Sequence, residues 1–163
     1  MSLFVQVLAA CVLHEAGHCA AALSAGSRIC ALRLTAVGAE MQLDPIVPLS
    51  YTRDAWIAVS GPLVNLIAAW ISVQAEANLF AGLNLSFGLL NLLPIRPLDG
   101  GRILDDLFSY FLPEQAEKIL SGFSIFVSGI FLGLGWMAWC RWRNLTLLCT
   151  AVWLVVRVIR TQK

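Results

Sequence analysis

The sequence predicts an all-α integral membrane protein with about five transmembrane helices and a short β-hairpin after the first. Hydrophobic residues make up 59% of the chain, charged residues only 13%, and the mean hydropathy is +0.78. Soluble domains carry about twice that share of charged residues. Five apolar stretches are long enough, or nearly so, to cross a bilayer, and this number sets the predicted helix count.

These stretches predict one membrane-embedded domain over 1–163. Its core helices are expected at 3–26, 53–74 and 78–95, and two extra helices at 119–140 and 144–160. The third stretch is short and contains Asn84, Asn91 and Pro94. We therefore expect it to break inside the protein rather than against lipid, where backbone groups would lack hydrogen-bond partners.

The segment between the first two helices is not a membrane span. Its residues 32–35 and 40–44 alternate apolar and polar side chains around Gly38, which is typical of paired strands. We predict a β-hairpin over 28–44. An ordinary surface connector is the alternative.

The basic residues predict the orientation of the chain in a cell membrane. Nine of the eleven fall on one side of the expected helices: Arg28, Arg33, Arg53, Arg96, Arg102, Lys118, Arg157, Arg160 and Lys163. Arg141 and Arg143 fall on the other side. The positive-inside rule then places the N-terminus outside and the C-terminus in the cytoplasm. The net charge of +1 argues against nucleic acid as a partner.

The chain has two histidines, and both lie in the pentapeptide His14-Glu15-Ala16-Gly17-His18. Between residues 3 and 25 the only formal charge is Glu15. Because residues four apart share a helix face, both imidazoles can bind one zinc ion. Glu15 is adjacent and can act as the general base on a water molecule. The alternative is a pair of core histidines, but ionisable groups inside a membrane helix are costly and usually functional.

A catalytic zinc takes three protein ligands, so a third is needed, and a carboxylate is the remaining choice. The candidates are Glu40, Asp44, Asp54, Glu76, Asp99, Asp105, Asp106, Glu114 and Glu117. Asp99 is favoured because Pro94 and Pro97 interrupt the third helix and two glycines follow, so the chain can fold back toward the metal. A helix-capping loop is the alternative for this segment.

Three motifs carry a family resemblance: HEAGH, Gly61-Pro62-Leu63-Val64-Asn65, and NLLPIRPLDGG from Asn91 to Gly101. In order and spacing they resemble the site-2 protease family of intramembrane zinc metalloproteases, peptidase family M50. The likeness covers about residues 3–105 and is greatest to the sporulation branch. That branch has a C-terminal CBS domain, which we do not expect here because the chain stops at Lys163.

The resemblance implies one zinc per chain, held by His14, His18 and Asp99, with Glu15 as general base. It implies that Asn91 stabilises the oxyanion or the substrate backbone, and it leaves the role of Asn65 open between a site residue and a helix-packing hydrogen bond. The hairpin matches an edge-strand element that holds unwound substrate.

The expected function is therefore zinc-dependent hydrolysis of peptide bonds in membrane-tethered or transmembrane proteins, such as pro-sigma factors, anti-sigma factors or remnant signal peptides. Two other functions stay open: a zinc-binding membrane protein without proteolysis, and a metal transporter. The intact Glu15 argues against the first, and the absence of internal repeats in the sequence argues against the second. The sequence predicts no oligomeric state.

Overall fold

The computed structural model describes residues 2–27, 29–35, 38–43, 50–96 and 98–161. In chain order the elements are α1 (Leu3–Ser24), β1 (Ile29–Thr35), β2 (Gly38–Leu43), α2 (Tyr51–Gln74), α3 (Asn78–Asn91), α4 (Asp99–Phe111), α5 (Ala116–Trp142) and α6 (Leu145–Thr161). They form two compact units, Met1–Leu92 and Leu93–Lys163. A single domain over the whole chain stays a prediction.

The protein is mostly helical, and among the described residues α1, α2 and α5 are long and apolar enough to cross a membrane. α3 has 14 residues and α6 has 17. At 1.5 Å per residue, α3 is about 21 Å long, which is shorter than the roughly 30 Å hydrocarbon core. The third helix was expected to reach 95 and ends four residues earlier, at Asn91.

Helix α4 was not predicted from the sequence, which indicated only a proline-rich turn before a connector. The helix is strongly amphipathic, with Ile103, Leu107 and Phe111 at a spacing of four and the charged residues Asp105 and Asp106 between the first two. A hydropathy pattern that identifies membrane spans does not detect such a helix, because its mean hydropathy is low. The helix periodicity in 99–111 would have indicated it.

In the first unit, α1, α2 and α3 pack against one another through small residues. A Cβ atom at Gly17 would lie 2.8 Å from the carbonyl oxygen of Ser60 and 3.1 Å from the Cα of Gly61. A Cβ atom at Gly88 of α3 would lie 3.1 Å from the carbonyl oxygen of Pro62. Glycine at these positions therefore allows the helix backbones to approach closely, as in other membrane helix interfaces.

Strands β1 and β2 pair antiparallel, from Ile29 opposite Leu43 to Thr35 opposite Gly38, with an irregularity between Ile29 and Ala31. Both strands lie inside the segment 28–44 in which the hairpin was predicted. Positions 28, 36, 37 and 44 of that prediction lie outside the described residues.

In the second unit, α5 and α6 pack against each other and are joined by two residues, which makes them antiparallel neighbours. Arg143 adopts the left-handed conformation that ends α5, and the Asn144 side chain accepts a hydrogen bond from the backbone N–H of Leu147 as α6 begins. The core of this unit contains Ile95 and Leu98 from the loop before α4, together with Leu154 and Val158 of α6. The loop is therefore fixed by its own buried side chains.

Candidate metal centre

The buried face of α1 carries both histidines. His14 is 5% exposed and His18 is 8% exposed, and they share this face with small residues: Ala10, Gly17, Ala21 and Ala22. The two rings lie edge to face, with centroids 4.7 Å apart and planes at 89°. Buried imidazoles in an apolar helix need protein hydrogen-bond partners, because lipid offers none.

His18 takes its partner from the backbone of α2. Its Nδ1 lies 2.7 Å from the carbonyl oxygen of Ile57, which also accepts the hydroxyl of Ser60 at 2.6 Å. A carbonyl oxygen only accepts, so Nδ1 of His18 carries the hydrogen. The ring also occupies the space beside Gly61, where an added Cβ would overlap it. Helix α2 thus fixes both the orientation and the tautomer of His18.

His14 takes its partner from a side chain of α2. Its Nδ1 lies 2.7 Å from Oδ1 of Asn65, whose exposure is 0%. The Asn65 Nδ2 donates to the carbonyl oxygen of Ala10 at 3.0 Å, which fixes the amide so that its oxygen faces His14. The other face of the His14 ring contacts Phe87 of α3, edge to face at 5.3 Å between centroids.

The two Nε2 atoms lie 3.1 Å apart. With the hydrogen on Nδ1 in each neutral ring, both Nε2 atoms carry lone pairs, and two lone pairs at this distance repel unless a cation lies between them. Two imidazole nitrogens bound to one tetrahedral zinc at 2.0–2.1 Å are roughly 3.3 Å apart. The donor type and the spacing therefore fit zinc.

Glu15 lies next to His14 on α1 and is half-buried. At 100° per residue, Glu15 is rotated around the helix by about 100° from His14 and by about 60° in the same sense from His18. Glu15 therefore lies to one side of the two rings, next to the direction of His18, when the helix is viewed along its axis. This placement suits a base that acts beside the metal ligands without being one of them.

Asn91 is the last residue of α3 and is half-buried. Its Nδ2 donates to the carbonyl oxygen of Phe87 one turn earlier, at 3.0 Å. An Asn amide has two N–H hydrogens, so this bond uses one of them. The role of Asn91 as an oxyanion donor stays a prediction.

Asp99 is the first residue of α4, in the second unit, and is half-buried. The turn before it is held by a hydrogen bond of 2.8 Å from the backbone N–H of Leu98 to the carbonyl oxygen of Ile95. A Cβ atom at Gly101 would lie 2.5 Å from that same carbonyl oxygen, so only glycine fits there. Of the other carboxylates considered, Asp105 pairs with Arg96 at 2.9 Å and Asp44 lies outside the described residues.

The loop that carries Asp99 has two further constraints within its unit. The backbone N–H of Arg96 donates to the hydroxyl of Ser124 at 3.2 Å, and Ile95 is fully buried. These contacts fix the start of α4, so the position of the carboxylate is set by the loop rather than by a flexible linker.

Sequence reasoning gave no site role to Asn84 or Phe87. Asn84 is fully buried in α3 and its Oδ1 accepts a hydrogen bond from Asn65 at 2.9 Å. The signal that could have identified it is its spacing: Asn84, Gly88 and Asn91 are seven residues or fewer apart on one face of an apolar helix. A polar amide in such a helix is costly and indicates a partner.

Comparisons with known proteins identify relatives of this chain. The sequence model of peptidase family M50 matches residues 71–131. Stage IV sporulation protein FB of Bacillus subtilis is 32% identical over 130 residues, covering 74% of this chain and 45% of that protein. A zinc metalloprotease of Methanocaldococcus jannaschii is 33% identical over 119 residues, covering 66% of this chain and 34% of that protein.

Among solved structures, the site-2 protease from Methanocaldococcus jannaschii matches 99% of this chain and 77% of its own chain, with a TM-score of 0.74 and 25% identity. A buried histidine pair beside a glutamate on an apolar helix defines a candidate metal site in a membrane-type protein. The chain belongs to peptidase family M50, the site-2 proteases. It spans less than half the length of the curated relatives it matches.

Gly61 gives the first test of the site. We expect Gly61→Ala to displace the His18 ring, because the new methyl group would overlap it. Overpacking of this kind costs about 1–3 kcal/mol, and a displaced ligand should weaken zinc binding by roughly tenfold. Zinc affinity is measured by competition with a chelator on purified protein.

The matched control is Gly82→Ala in α3, where an added Cβ meets nothing within 4 Å. It should bind zinc as the parent protein does. Equal zinc affinity for Gly61→Ala and the parent would contradict the placement of His18 against α2.

Proposed function

We propose that this protein is an intramembrane zinc metalloendopeptidase that hydrolyses peptide bonds of membrane-tethered or transmembrane proteins. The observation that carries the proposal is the convergence of two imidazole Nε2 atoms, with both Nδ1 atoms held by α2. Two neutral imidazoles fixed with their lone pairs toward one point form a divalent-metal site, and Glu15 lies beside it.

The third ligand in this proposal is Asp99. The chain has no other histidine, and a catalytic zinc takes three protein ligands. Asp99 lies within the residues that the M50 family model matches, in a loop whose backbone is fixed by Gly101 and Ile95. One zinc per chain would be held by His14, His18 and Asp99, where it would act as a Lewis acid toward the scissile carbonyl and toward water.

The chain's own groups then perform the proton transfers. Glu15 takes a proton from the attacking water and later gives it to the leaving amine, as a general base and then a general acid. Asn91 has an amide hydrogen beyond the one used within α3, and it would donate to the oxyanion or to the substrate backbone.

Glu15→Gln and Asp99→Ala test this assignment as a pair. Glu15→Gln keeps the size of the side chain but removes the base, so zinc should stay bound while cleavage falls by at least about a hundredfold. Asp99→Ala removes a ligand and should lose most of the zinc together with cleavage. Zinc is measured by elemental analysis, and cleavage by co-expression with single-pass membrane proteins followed by mass spectrometry of the cut ends.

The parent protein expressed without a substrate is the baseline for both measurements. Persistent cleavage by Glu15→Gln would remove Glu15 from its role, and full zinc retention by Asp99→Ala would move the third ligand elsewhere. A parent protein that binds zinc but cuts none of the candidate substrates would favour the alternative of a zinc-binding membrane protein without proteolysis.

The position of the histidines supports the proposed substrate class. Their helix is apolar along its length, with Leu8 and Val12 among its exposed side chains, so a substrate reaches it through lipid or from the membrane surface. The similarity to a sporulation protein supports a membrane-tethered regulator, such as a pro-sigma or anti-sigma factor, as the substrate.

The strand pair supplies a second element of the proposal. A two-stranded sheet has unpaired backbone groups at its outer edges, and an unwound substrate could pair there by strand addition. Met41→Pro removes a backbone N–H from β2 and should depress cleavage by tenfold or so, with zinc content nearly unchanged.

Met41→Leu keeps the backbone N–H and is the matched control, expected to cleave at the parent rate. Normal cleavage by both variants would contradict a substrate role for β2. If Met41→Pro loses zinc while Met41→Leu keeps it, the metal site depends on the strand pair, contrary to the expectation that zinc content stays nearly unchanged.

We propose five membrane crossings, by α1, α2, α3, α5 and α6, with the N-terminus outside and the C-terminus in the cytoplasm. The helical hairpin of the second unit supports this orientation: Arg141 and Arg143 lie where α5 ends, whereas three basic residues, Lys118, Arg157 and Arg160, lie toward the opposite helix ends. Basic residues accumulate on the cytoplasmic side of membrane helices.

Reporter fusions test the orientation. A reporter that is active only in the cytoplasm should be active when fused after Thr161 and inactive when fused after Glu76, in the turn between α2 and α3. A reporter that is active only outside serves as the control and should give the reverse pattern. The same signal at both sites would contradict an odd number of crossings between them.

A further inference from the structure

Asn84 is a fully buried amide in α3 that the proposed chemistry does not use. An amide in an apolar environment costs free energy unless its donors and acceptors are paired. Its Nδ2 donates to the carbonyl oxygen of Phe80 at 2.9 Å, and its Oδ1 accepts from Nδ2 of Asn65 at 2.9 Å. It therefore joins α3 to the residue that holds His14.

The direction of every bond in this chain of side chains is determined. The carbonyl oxygen of Phe80 only accepts, so Asn84 turns Nδ2 toward it and Oδ1 toward Asn65. The carbonyl oxygen of Ala10 also only accepts, so Asn65 presents Nδ2 to both acceptors. The remaining atom, Oδ1 of Asn65, faces Nδ1 of His14 at 2.7 Å.

The consequence is a choice of tautomer at His14. A reversed Asn65 amide would place its oxygen against two acceptors and its N–H group against Nδ1. That arrangement would favour the tautomer with hydrogen on Nε2, which cannot bind a metal through Nε2. Two acceptors, from Ala10 and Asn84, hold the amide against this reversal.

We propose that Asn84 is a positioning residue of the metal centre, which acts through Asn65 to keep His14 in the tautomer that binds zinc at Nε2. The inference rests on the proposed function, because it concerns the same ligand. The hydrogen bonds of Asn84 go to Asn65 and to the carbonyl oxygen of Phe80, so its effect on His14 is transmitted by the Asn65 amide.

A role in packing α2 against α3 is the competing explanation, because the bond between Asn65 and Asn84 also links these helices. The two explanations differ in coupling. If Asn84 acts through Asn65, its removal has no further effect on zinc affinity once Asn65 is gone. If the two amides only stabilise packing, their effects on zinc affinity are small and independent.

The experiment is a double-mutant cycle on the full chain, with zinc affinity measured by chelator competition. We expect Asn65→Leu to weaken zinc binding by about tenfold or more, as for other groups that hold a ligating histidine. Asn84→Leu should weaken zinc binding by roughly threefold, because Asn84 is one hydrogen bond further from His14 than Asn65 is. The double variant should bind zinc no more weakly than Asn65→Leu alone.

Two comparisons separate positioning from packing. Asn84→Asp keeps an acceptor oxygen toward Asn65 in either protonation state and should retain the parent affinity within about twofold. Ser72→Ala removes a buried side-chain bond of α2, to the carbonyl oxygen of Ala68, away from this network and should also leave zinc affinity unchanged. The cobalt-substituted protein should have an altered absorption spectrum in Asn84→Leu and the parent spectrum in Asn84→Asp.

The proposal would be overturned if the losses of zinc affinity caused by Asn65→Leu and Asn84→Leu multiply in the double variant. A folded Asn84→Asp variant that has lost zinc affinity would also overturn it. Where Asn84→Leu is not recovered folded, Asn84→Ser replaces it in the same cycle. A parent protein that binds no zinc would overturn the proposed function itself, whereas zinc-binding parent and variants of equal affinity would overturn only the role of Asn84.

Discussion

The constraint on which the rest of the first unit depends is the hydrogen bonding of two imidazoles inside an apolar helix. Lipid supplies no partners, so each ring N–H must be satisfied by the protein. His18 meets this requirement with a backbone carbonyl of α2, and His14 with the amide of Asn65. Each ring N–H is used in a hydrogen bond on the side away from the site. The Nε2 lone pairs of both rings therefore point toward the site, where the two Nε2 atoms lie 3.1 Å apart.

Close helix packing makes those partners reachable. The hydrogen bonds of His14 and His18 are 2.7 Å long, and they require the backbones of α1 and α2 to approach within side-chain reach. Gly17 and Gly61 allow this, since a Cβ at either position would overlap the neighbouring helix or the His18 ring. The glycine inside the HEAGH motif therefore has a packing function, whereas its histidines and glutamate are the residues of the proposed site. Association through small residues replaces the hydrophobic driving force that is missing between helices in lipid.

Much of this arrangement was predictable from the sequence, because long apolar runs and a single histidine pair are strong signals. The runs identified the membrane-type helices, and the spacing of His14 and His18 placed both rings on one face. The partners of those rings were harder to predict. The Ile57 carbonyl is a backbone atom with no sequence signature, and Asn84 acts only through its contact with Asn65, which depends on how α2 and α3 pack. Helix α4 was missed because it is amphipathic and too polar for a membrane-span pattern.

The short third helix explains why an irregular segment follows it. A helix of about 21 Å is shorter than a hydrocarbon core, so in the proposed topology the non-helical backbone after Asn91 would lie near membrane depth. Such backbone is tolerated only where its polar groups are satisfied within the protein. In the second unit, the N–H of Leu98 bonds to Ile95, and that of Arg96 to the hydroxyl of Ser124. After this break a new helix, α4, begins, and its first residue is the carboxylate Asp99. Pro94 follows three residues after the end of α3 and opposes its continuation, so the proposed third ligand, Asp99, lies on a new helix.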